Sequence, residues 1–298
     1  MENATDPFHA GERALQQRAG RRDRMAIVGP RVIRDYMPDQ HRQFFAQLPF
    51  LIVGSLDAEG QPWASLLHGS AGFAHSPDPL HLRIDTMPPP GSPLHEALRL
   101  QVPLGLLGIE QHTRRRNRMN GHVTALDSGG FEVEVEQSFG NCPQYINRRH
   151  AVVGEAAPVI IERLSGLDTA ARSLITRADT LFIASAHAGA ADVSHRGGDP
   201  GFVTFDAFGR LLLPDYMGNF FFNTLGNLML DPRAGLLFVD FDKGEQLHVA
   251  ATAEILLDGP EVEAHWGAER LVRLQATAAL RMRGGLPLRW REVAADAR

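Results

Sequence analysis

An internal repeat is the feature that most constrains what this chain can fold into. Residues 65–73 recur as residues 194–202, with Ser, Gly and Phe at matching offsets, and the Gly-Leu-Leu of residues 105–107 recurs at 235–237. The period is about 130 residues, which is the length of an ordinary small domain. Because the matches keep the same order and lie near predicted strand boundaries, they indicate two structurally similar units within the 298 residues.

Apolar stretches separated by turn residues predict that each unit is an antiparallel β structure. Residues 50–56 and 63–67 form a predicted hairpin across a polar loop that ends at Gly60. Further strands are predicted at 80–84, 104–109, 121–126 and 131–135, and the second unit begins the same order at 181–186 and 191–194. The predicted fold class is therefore mainly β with flanking helices, as two tandem small barrels that pack as a pseudo-dimer within one chain.

Helices are predicted mainly before the first barrel. Residues 8–24 have helical spacing and predict an exposed N-terminal helix, and residues 39–47 predict a second helix with Asp39 as its N-cap. We divide the chain into an N-terminal helical arm (1–38), a first repeat (39–147), a connector (148–172), and a second repeat with a C-terminal helical tail (173–298).

Composition excludes several classes of partner and site. The net charge of −5 gives no global field that would attract nucleic acid or anionic lipid, and the arginines at 13–24 and 114–118 are interpreted as solvated faces because no aromatic residues are interleaved with them. The single cysteine, Cys142, excludes an intramolecular disulfide, and the 13 histidines show no metal-binding spacing. We predict a cytoplasmic protein with no metal and no membrane span.

The segment at 191–203, ADVSHRGGDPGFV, is the first candidate for chemistry. It places Asp192, Ser194, His195 and Arg196 beside several glycines in a strand and its exit, where a flat ligand could approach the backbone closely. Arg196 offers a forked cation for a phosphate or a ring edge. The alternative is a tight turn with a surface salt bridge.

The segment at 214–238 is the second candidate. Asn219, Asn223, Thr224 and Asn227 surround three consecutive phenylalanines, and Asn223 and Thr224 precede a predicted helix at 225–230. The free N–H groups and the positive dipole end of such a helix suit a phosphate. Ordinary helix capping by Asn and Thr is the alternative.

Together these segments resemble the pyridoxamine 5'-phosphate oxidase-like FMN-binding split-barrel proteins. The resemblance rests on DVSHRGG and PGFV within 192–203, on PDY, GN and FFNTLGNL between 214 and 228, on DPRAGLLF and DF within 231–241, and on FGNCPQYI at 139–146. FHAGE at 8–12 also fits, so the resemblance covers nearly the whole chain. It implies two tandem FMN-binding split β-barrels, with FMN held non-covalently where the barrels meet.

The resemblance also implies roles for individual residues. Polar groups of a strand face the flavin ring, and a strand-to-helix turn holds its phosphate. The implied cofactor-binding residues are Asp192, Ser194, His195, Arg196, Gly197, Asn219, Asn223, Thr224 and Asn227, with Cys142 and Tyr145 reaching across from the first half. Cys142 also fits a buried small apolar residue. The family's oxidases carry an Arg-Lys pair where this chain has Asn223-Thr224, which argues against vitamin B6 oxidation.

The first half matches the second in architecture but not in chemistry. Leu66, Leu67 and His68 stand where His195, Arg196 and Gly197 stand in the second half, which predicts one working flavin site per chain. The function predicted is an FMN-dependent oxidoreductase with a small-molecule or protein redox partner, acting as a monomer or a homodimer. A non-catalytic carrier or sensor of flavin or haem is the alternative, and a deazaflavin is a further possible ligand. No catalytic residue is assigned.

Overall fold

Two antiparallel sheets with the same strand order form the molecule. The computed structural model describes residues 6–293. The first sheet contains β1 (Phe50–Leu56), β2 (Pro62–His68), β3 (Ala74–His75), β4 (His81–Ile84), β5 (Pro103–Glu110), β6 (Arg115–Asp127) and β7 (Gly130–Gly140), in the order β2-β1-β5-β6-β7-β4-β3. It constitutes the first split barrel.

The second sheet repeats this arrangement. Two strands precede it in the chain, β8 (Arg149–Val153) and β9 (Ile160–Leu164). The repeat itself contains β10 (Thr180–His187), β11 (Ala190–Gly197), β12 (Thr204–Phe205), β13 (Leu211–Tyr216), β14 (Arg233–Val239), β15 (Gln246–Leu256) and β16 (Ala268–Arg283), in the order β11-β10-β14-β15-β16-β13-β12. β9 extends it by pairing with β16, and β17 (Leu288–Glu292) pairs with β8. The predicted fold class is confirmed.

The strand register explains the sequence repeat. Ser65 pairs with Val53 in the first sheet, and Ser194 pairs with Ile183 at the equivalent place in the second. Both sheets also shift register within their long hairpins, between Asn120 and Gly121 and between Ala250 and Ala251. The matched residues therefore occupy equivalent positions in the two barrels.

Seven α-helices accompany the sheets in the described part of the chain. They are α1 (Ala10–Arg18), α2 (Arg22–Val32), α3 (Asp39–Ala46), α4 (Pro93–Ala97), α5 (Thr169–Arg177), α6 (Asn223–Leu230) and α7 (Pro260–Glu263). The helix predicted at 39–47 is present, but Pro38 rather than Asp39 is its N-cap residue. The helix predicted at 225–230 is also present and begins two residues earlier.

Two expectations about the termini are wrong. The N-terminal segment is two helices rather than one exposed helix, because the chain turns at Gly20, where φ is +63°. α1 is not an exposed helix, since Glu12, Leu15 and Gln16 are buried against the second barrel. The expected C-terminal helical tail is absent from the described residues: β16 pairs with strands on both of its edges. β17 pairs with β8 and buries Leu288 and Trp290 in an apolar cluster that includes residues of both barrels. Residues 1–5 of the arm and 294–298 of the tail lie outside the described part.

The two barrels meet along a surface that we call the seam, formed by β1, β2 and β5 of the first half and β10, β11 and β14 of the second. An apolar cluster fills it, with Ile52 and Leu66 packed among residues of the second half. Gly105 and Gly235 let the backbones approach, because a Cβ at Gly105 would lie 2.7 Å from Cα of Asp192 and one at Gly235 would lie 2.2 Å from the carbonyl oxygen of Pro62. This approach brings β6 beside β11.

No helix in the described range 6–293 has the length and apolar character needed to cross a membrane.

Candidate functional site

A cleft opens at one end of the seam, where both halves contribute side chains. It encloses about 830 Å³ when the open space at its mouth is counted. β6 and the segment 141–145 form the wall from the first half, and β11, β13 and the start of α6 form the wall from the second. The site therefore belongs to neither barrel alone.

Eight of the residues predicted from the sequence line this cleft. They are Cys142, Tyr145, His195, Arg196, Gly197, Asn219, Asn223 and Thr224. The other three, Asp192, Ser194 and Asn227, are buried behind the wall and bond to residues that line it or support it. The structure thus brings the two candidate segments together across one cavity.

Three arginines of the cleft were missed as site residues. Arg116 and Arg118 reach it from β6, and Arg270 reaches it from β16. Interpreting residues 114–118 as a solvated face is wrong for Arg116 and Arg118, although Arg114 and Arg115 are exposed. The spacing of Arg116 and Arg118 was a usable signal, because residues two apart on a strand point to the same face of the sheet.

Arg118 lies at the first turn of α6 although it belongs to the other half. Its Nη1 donates to both carboxylate oxygens of Asp192 at 3.1 Å and to Oδ1 of Asn223 at 3.1 Å, and its Nη2 donates to the Ser194 hydroxyl. The Ser194 and Thr224 hydroxyls are 2.6 Å apart. A guanidinium, two hydroxyls and a helix N-terminus therefore converge at one point, as anion sites require.

Arg116 and His195 form a second contact between the halves. Nη1 of Arg116 donates to Nδ1 of His195 at 2.9 Å. Because arginine only donates, Nδ1 must accept, and a neutral His195 carries its proton on Nε2. Burial, together with the neighbouring arginines, lowers the pKa of His195 well below its ordinary value, so the ring is neutral near pH 7.

Arg116 lacks a carboxylate partner among residues 6–293. Burial lowers its pKa to about 10, which still leaves the guanidinium charged at neutral pH. Its Nε is buried and makes no hydrogen bond to any described residue. A buried cation without a counter-ion costs free energy unless a ligand supplies the missing charge.

Asp215 lies between the remaining two cations. Nη1 of Arg196 donates to its Oδ1 at 2.6 Å, and Nε of Arg270 donates to its Oδ2 at 2.9 Å. The guanidinium of Arg270 also lies over the Phe222 ring, 4.9 Å from the centroid. One buried carboxylate thus faces two arginines, and Arg270 also pairs with the exposed Glu269. Among residues 6–293, Arg116 is the arginine of the cleft that no carboxylate neutralises.

Two loops with strained aromatic residues border the cleft. Tyr145, Phe220 and Phe222 all have φ near +62° to +63°, a conformation that residues other than glycine rarely adopt. Tyr145 stacks on Tyr216 with ring centroids 5.2 Å apart, and its hydroxyl donates to the carbonyl oxygen of Met217 at 3.1 Å. Such outliers cluster at functional sites, where surrounding contacts hold them in place.

The equivalent place on the other side of the seam lacks these charged side chains. The register puts Leu66, Leu67 and His68 where His195, Arg196 and Gly197 lie, as the sequence predicts. Gln246 and His248 take the positions of Arg116 and Arg118, since they pair with Val239 and Leu237 as the arginines pair with Ile109 and Leu107. His68 bonds to the carbonyl oxygen of Gly285 at 2.8 Å, which closes this smaller and mostly apolar pocket.

Metal chemistry receives no support from the described residues, where no group of three or more His, Cys, Asp or Glu could hold an ion. Cys142 is the one free thiol of the chain and is half-buried at the cleft.

No protein-family model matches the chain, and the search of curated proteins found no match. Solved structures that align with part of it include HupZ of Group A Streptococcus, with 14% identity, a TM-score of 0.32, and coverage of 38% of this chain and 92% of HupZ. A candidate pyridoxamine 5'-phosphate oxidase of Lactobacillus delbrueckii has 17% identity, a TM-score of 0.33, and coverage of 39% and 97%. An FAD-binding protein of Mesorhizobium loti has 14% identity, a TM-score of 0.31, and coverage of 42% and 98%.

Proposed function

We propose that the cleft binds FMN and that the protein is an FMN-dependent oxidoreductase acting on a small substrate. The observation that carries this proposal is the group of half-buried arginines in the cleft, which outnumber their carboxylate partners. Arg116, Arg118, Arg196 and Arg270 line the cleft. Among the described residues, Asp192, Asp215 and the exposed Glu269 pair with the last three, and Arg116 pairs with no carboxylate. An anionic ligand with a planar apolar part suits such a cavity.

The residues present fit a flavin phosphate. Arg118, the Thr224 hydroxyl and the N-terminal turn of α6 would hold it, and Arg118 thereby supplies a cation that the Asn223-Thr224 pair lacks. The side chain of Asn223 is already engaged at both ends, by Arg118 and by Glu12. Asn223 therefore acts as a support for the phosphate site rather than as a direct ligand.

Aromatic side chains of the cleft fit a flat ring. Tyr145, Tyr216 and Phe222 line the cavity, and Arg116 and His195, fixed by their mutual hydrogen bond, line it as well. Bound FMN would supply hydride or electron transfer. Arg116 is placed to stabilise negative charge on a reduced ring, because its own charge has no protein counter-ion among the described residues. The absence of the Arg-Lys pair argues against vitamin B6 phosphate as the substrate.

The experiment that tests the proposal is identification of the bound chromophore. The purified protein is denatured, and the released compound is identified by absorbance and mass. We expect FMN at about one per chain, since the second pocket lacks the charges. Apoprotein should bind FMN much more tightly than riboflavin, which lacks the phosphate. Release of haem or a deazaflavin, or equal affinity for FMN and riboflavin, would overturn the assignment.

Turnover separates an enzyme from a carrier. The reconstituted protein is mixed with NADH or NADPH, and the flavin absorbance is followed during reduction and during reoxidation by air. Cycling supports the oxidoreductase. Bound FMN that is neither reduced nor reoxidised, with these or with artificial donors and acceptors, would favour a carrier.

A further inference from the structure

Helix α1 packs on α6 with almost no side chain between them. A Cβ at Gly11 would lie 2.1 Å from the carbonyl oxygen of Gly226, and a Cβ at Gly226 would lie 2.7 Å from the backbone nitrogen of Glu12. Only glycine allows backbones to approach so closely. The contact places the Glu12 side chain beside Asn223, in the first turn of α6.

Glu12 is a buried carboxylate without an arginine or lysine partner among residues 6–293. It is 4% exposed, its Oε1 accepts from Nδ2 of Asn223 at 2.6 Å, and its Oε2 accepts from the backbone N–H of His9 at 2.8 Å. Buried carboxylates are ordinarily paired with cations. The nearest basic side chain is His9, at 3.5 Å, and its Nε2 is bonded to Asn227.

A relay of hydrogen bonds connects this carboxylate to the cleft. The amide group of Asn223 donates to Glu12, and the carbonyl oxygen of the same side chain accepts from Arg118 at 3.1 Å. Both ends of the Asn223 side chain are thereby fixed. A charge on Glu12 acts on Arg118 and on the N-terminus of α6, where an anion would bind.

We propose that Glu12 is a positioning residue that orients Asn223 and Arg118 and sets the anion affinity of the cleft, so that anion binding is coupled to proton uptake by Glu12. This inference rests on the proposed FMN site. An ionised Glu12 repels a phosphate held by Arg118, whereas a protonated Glu12 does not. By linkage, a bound phosphate favours the protonated form equally.

The surroundings of Glu12 support titration in a useful pH range. Burial raises its pKa to about 7, with Asp192 raising it further and Arg118 lowering it. The other charged or titratable groups near Glu12 and His9 are Arg13 on α1 and His187 on β10. Burial lowers the pKa of His9 below its ordinary value of 6.5, which favours the neutral ring.

The test compares FMN dissociation constants at pH 6 and pH 8, measured by flavin fluorescence on wild-type apoprotein and on Glu12→Gln. Titration of the FMN phosphate itself is common to both proteins and cancels in the comparison. In the wild type we expect affinity to fall by about tenfold more than in Glu12→Gln as the pH rises, within the 5–150-fold typical of coupled sites. The matched control is Glu263→Gln on α7, which removes an exposed carboxylate outside the cleft and should keep the wild-type profile.

If the FMN affinities of wild type and Glu12→Gln change equally with pH, the inference is overturned and the FMN site stands. Failure of the wild type to bind FMN at either pH refutes the proposed function and this inference with it. If Glu12→Gln does not fold, Glu12→Asp keeps a titrating carboxylate but shortens its reach to Asn223. This variant should weaken FMN binding at pH 6, and wild-type affinity there would refute the positioning role.

Discussion

Arg116 in the first barrel donates a hydrogen bond of 2.9 Å to Nδ1 of His195 in the second. The contact fixes the His195 tautomer and holds a charged guanidinium at the cleft although no carboxylate of the described chain neutralises it. Arg116 is therefore held at a cost to the unliganded protein, and this cost is relieved when an anion binds.

Replacing Arg116 separates binding from stability. Arg116→Gln should weaken FMN binding by about tenfold or more, because a charged hydrogen-bond donor is lost from a partly dry site. The melting temperature of the apoprotein should stay the same or rise. Arg115→Gln is the matched control, since it removes the same charge from an exposed neighbour. Equal losses of affinity in both variants would show a general charge effect rather than a site.

Arg118 should behave differently from Arg116, because it is paired. Arg118→Gln leaves Asp192 buried without its cation and should lower the free energy of unfolding by about 3–5 kcal/mol. The double variant Arg118→Gln with Asp192→Asn should recover a large part of this loss while FMN binding stays weak. Urea denaturation of the apoproteins measures the effect. An unchanged midpoint for Arg118→Gln would contradict a buried ion pair.

Glu12 should make the stability of the apoprotein pH-dependent. The pKa of Glu12 is about 7 in the folded protein, above its ordinary value of 4.5, so the folded state binds more protons between these limits. Stability therefore falls as the pH rises from about 4.5 to about 7, by up to roughly 3 kcal/mol for this group. Unfolding free energies of wild type and Glu12→Gln should converge near pH 5 and diverge by pH 8, with the variant more stable. If the unfolding free energies of the two proteins differed by the same amount at all pH values, the raised pKa of Glu12 would be refuted.

The two sides of the seam offer an internal comparison. Arg196→Glu places a carboxylate against Asp215 and removes one cation from the cleft, so FMN affinity should fall by at least about a hundredfold. Leu67→Glu, at the equivalent place in the first half, buries a charge in an apolar core and should lower the melting temperature instead. Folded Leu67→Glu should retain near-normal affinity. Normal binding by Arg196→Glu together with weak binding by folded Leu67→Glu would place the site in the other half.

Much of the fold was predictable because its determinants are local or repeated. The match between residues 65–73 and 194–202 reflects equivalent strand register, and the hairpins follow from apolar stretches and turn residues that lie close in sequence. The C-terminal helical tail was predicted wrongly. β17 pairs with residues 149–153, and β16 pairs with residues 211–216. These partners are far away in sequence, and the pairing with them determines the strand conformation.

The candidate site was only partly predictable, for a related reason. His195 and Asn223 belong to motifs that the sequence displays, but Arg116 and Arg118 reach the cleft only because the seam glycines allow β6 to lie beside β11. Glu12 was within the FHAGE motif, yet its contact with Asn223 depends on two glycines far apart in sequence meeting in space. Local sequence patterns do not show which residues far apart in sequence come into contact.

The unequal sides of the seam have a consequence for how this protein can vary. In a dimer of identical chains, any substitution at such a boundary occurs twice, so a change that favours packing in one pocket removes the charge from the other pocket as well. Here the two similar barrels lie in one covalent chain, and each position can change without its counterpart. Leu67 can therefore pack in the apolar core while Arg196, at the matching place, keeps its charge. Two barrels in one chain can thus carry different side chains at equivalent places, which the symmetry of a homodimer would prevent.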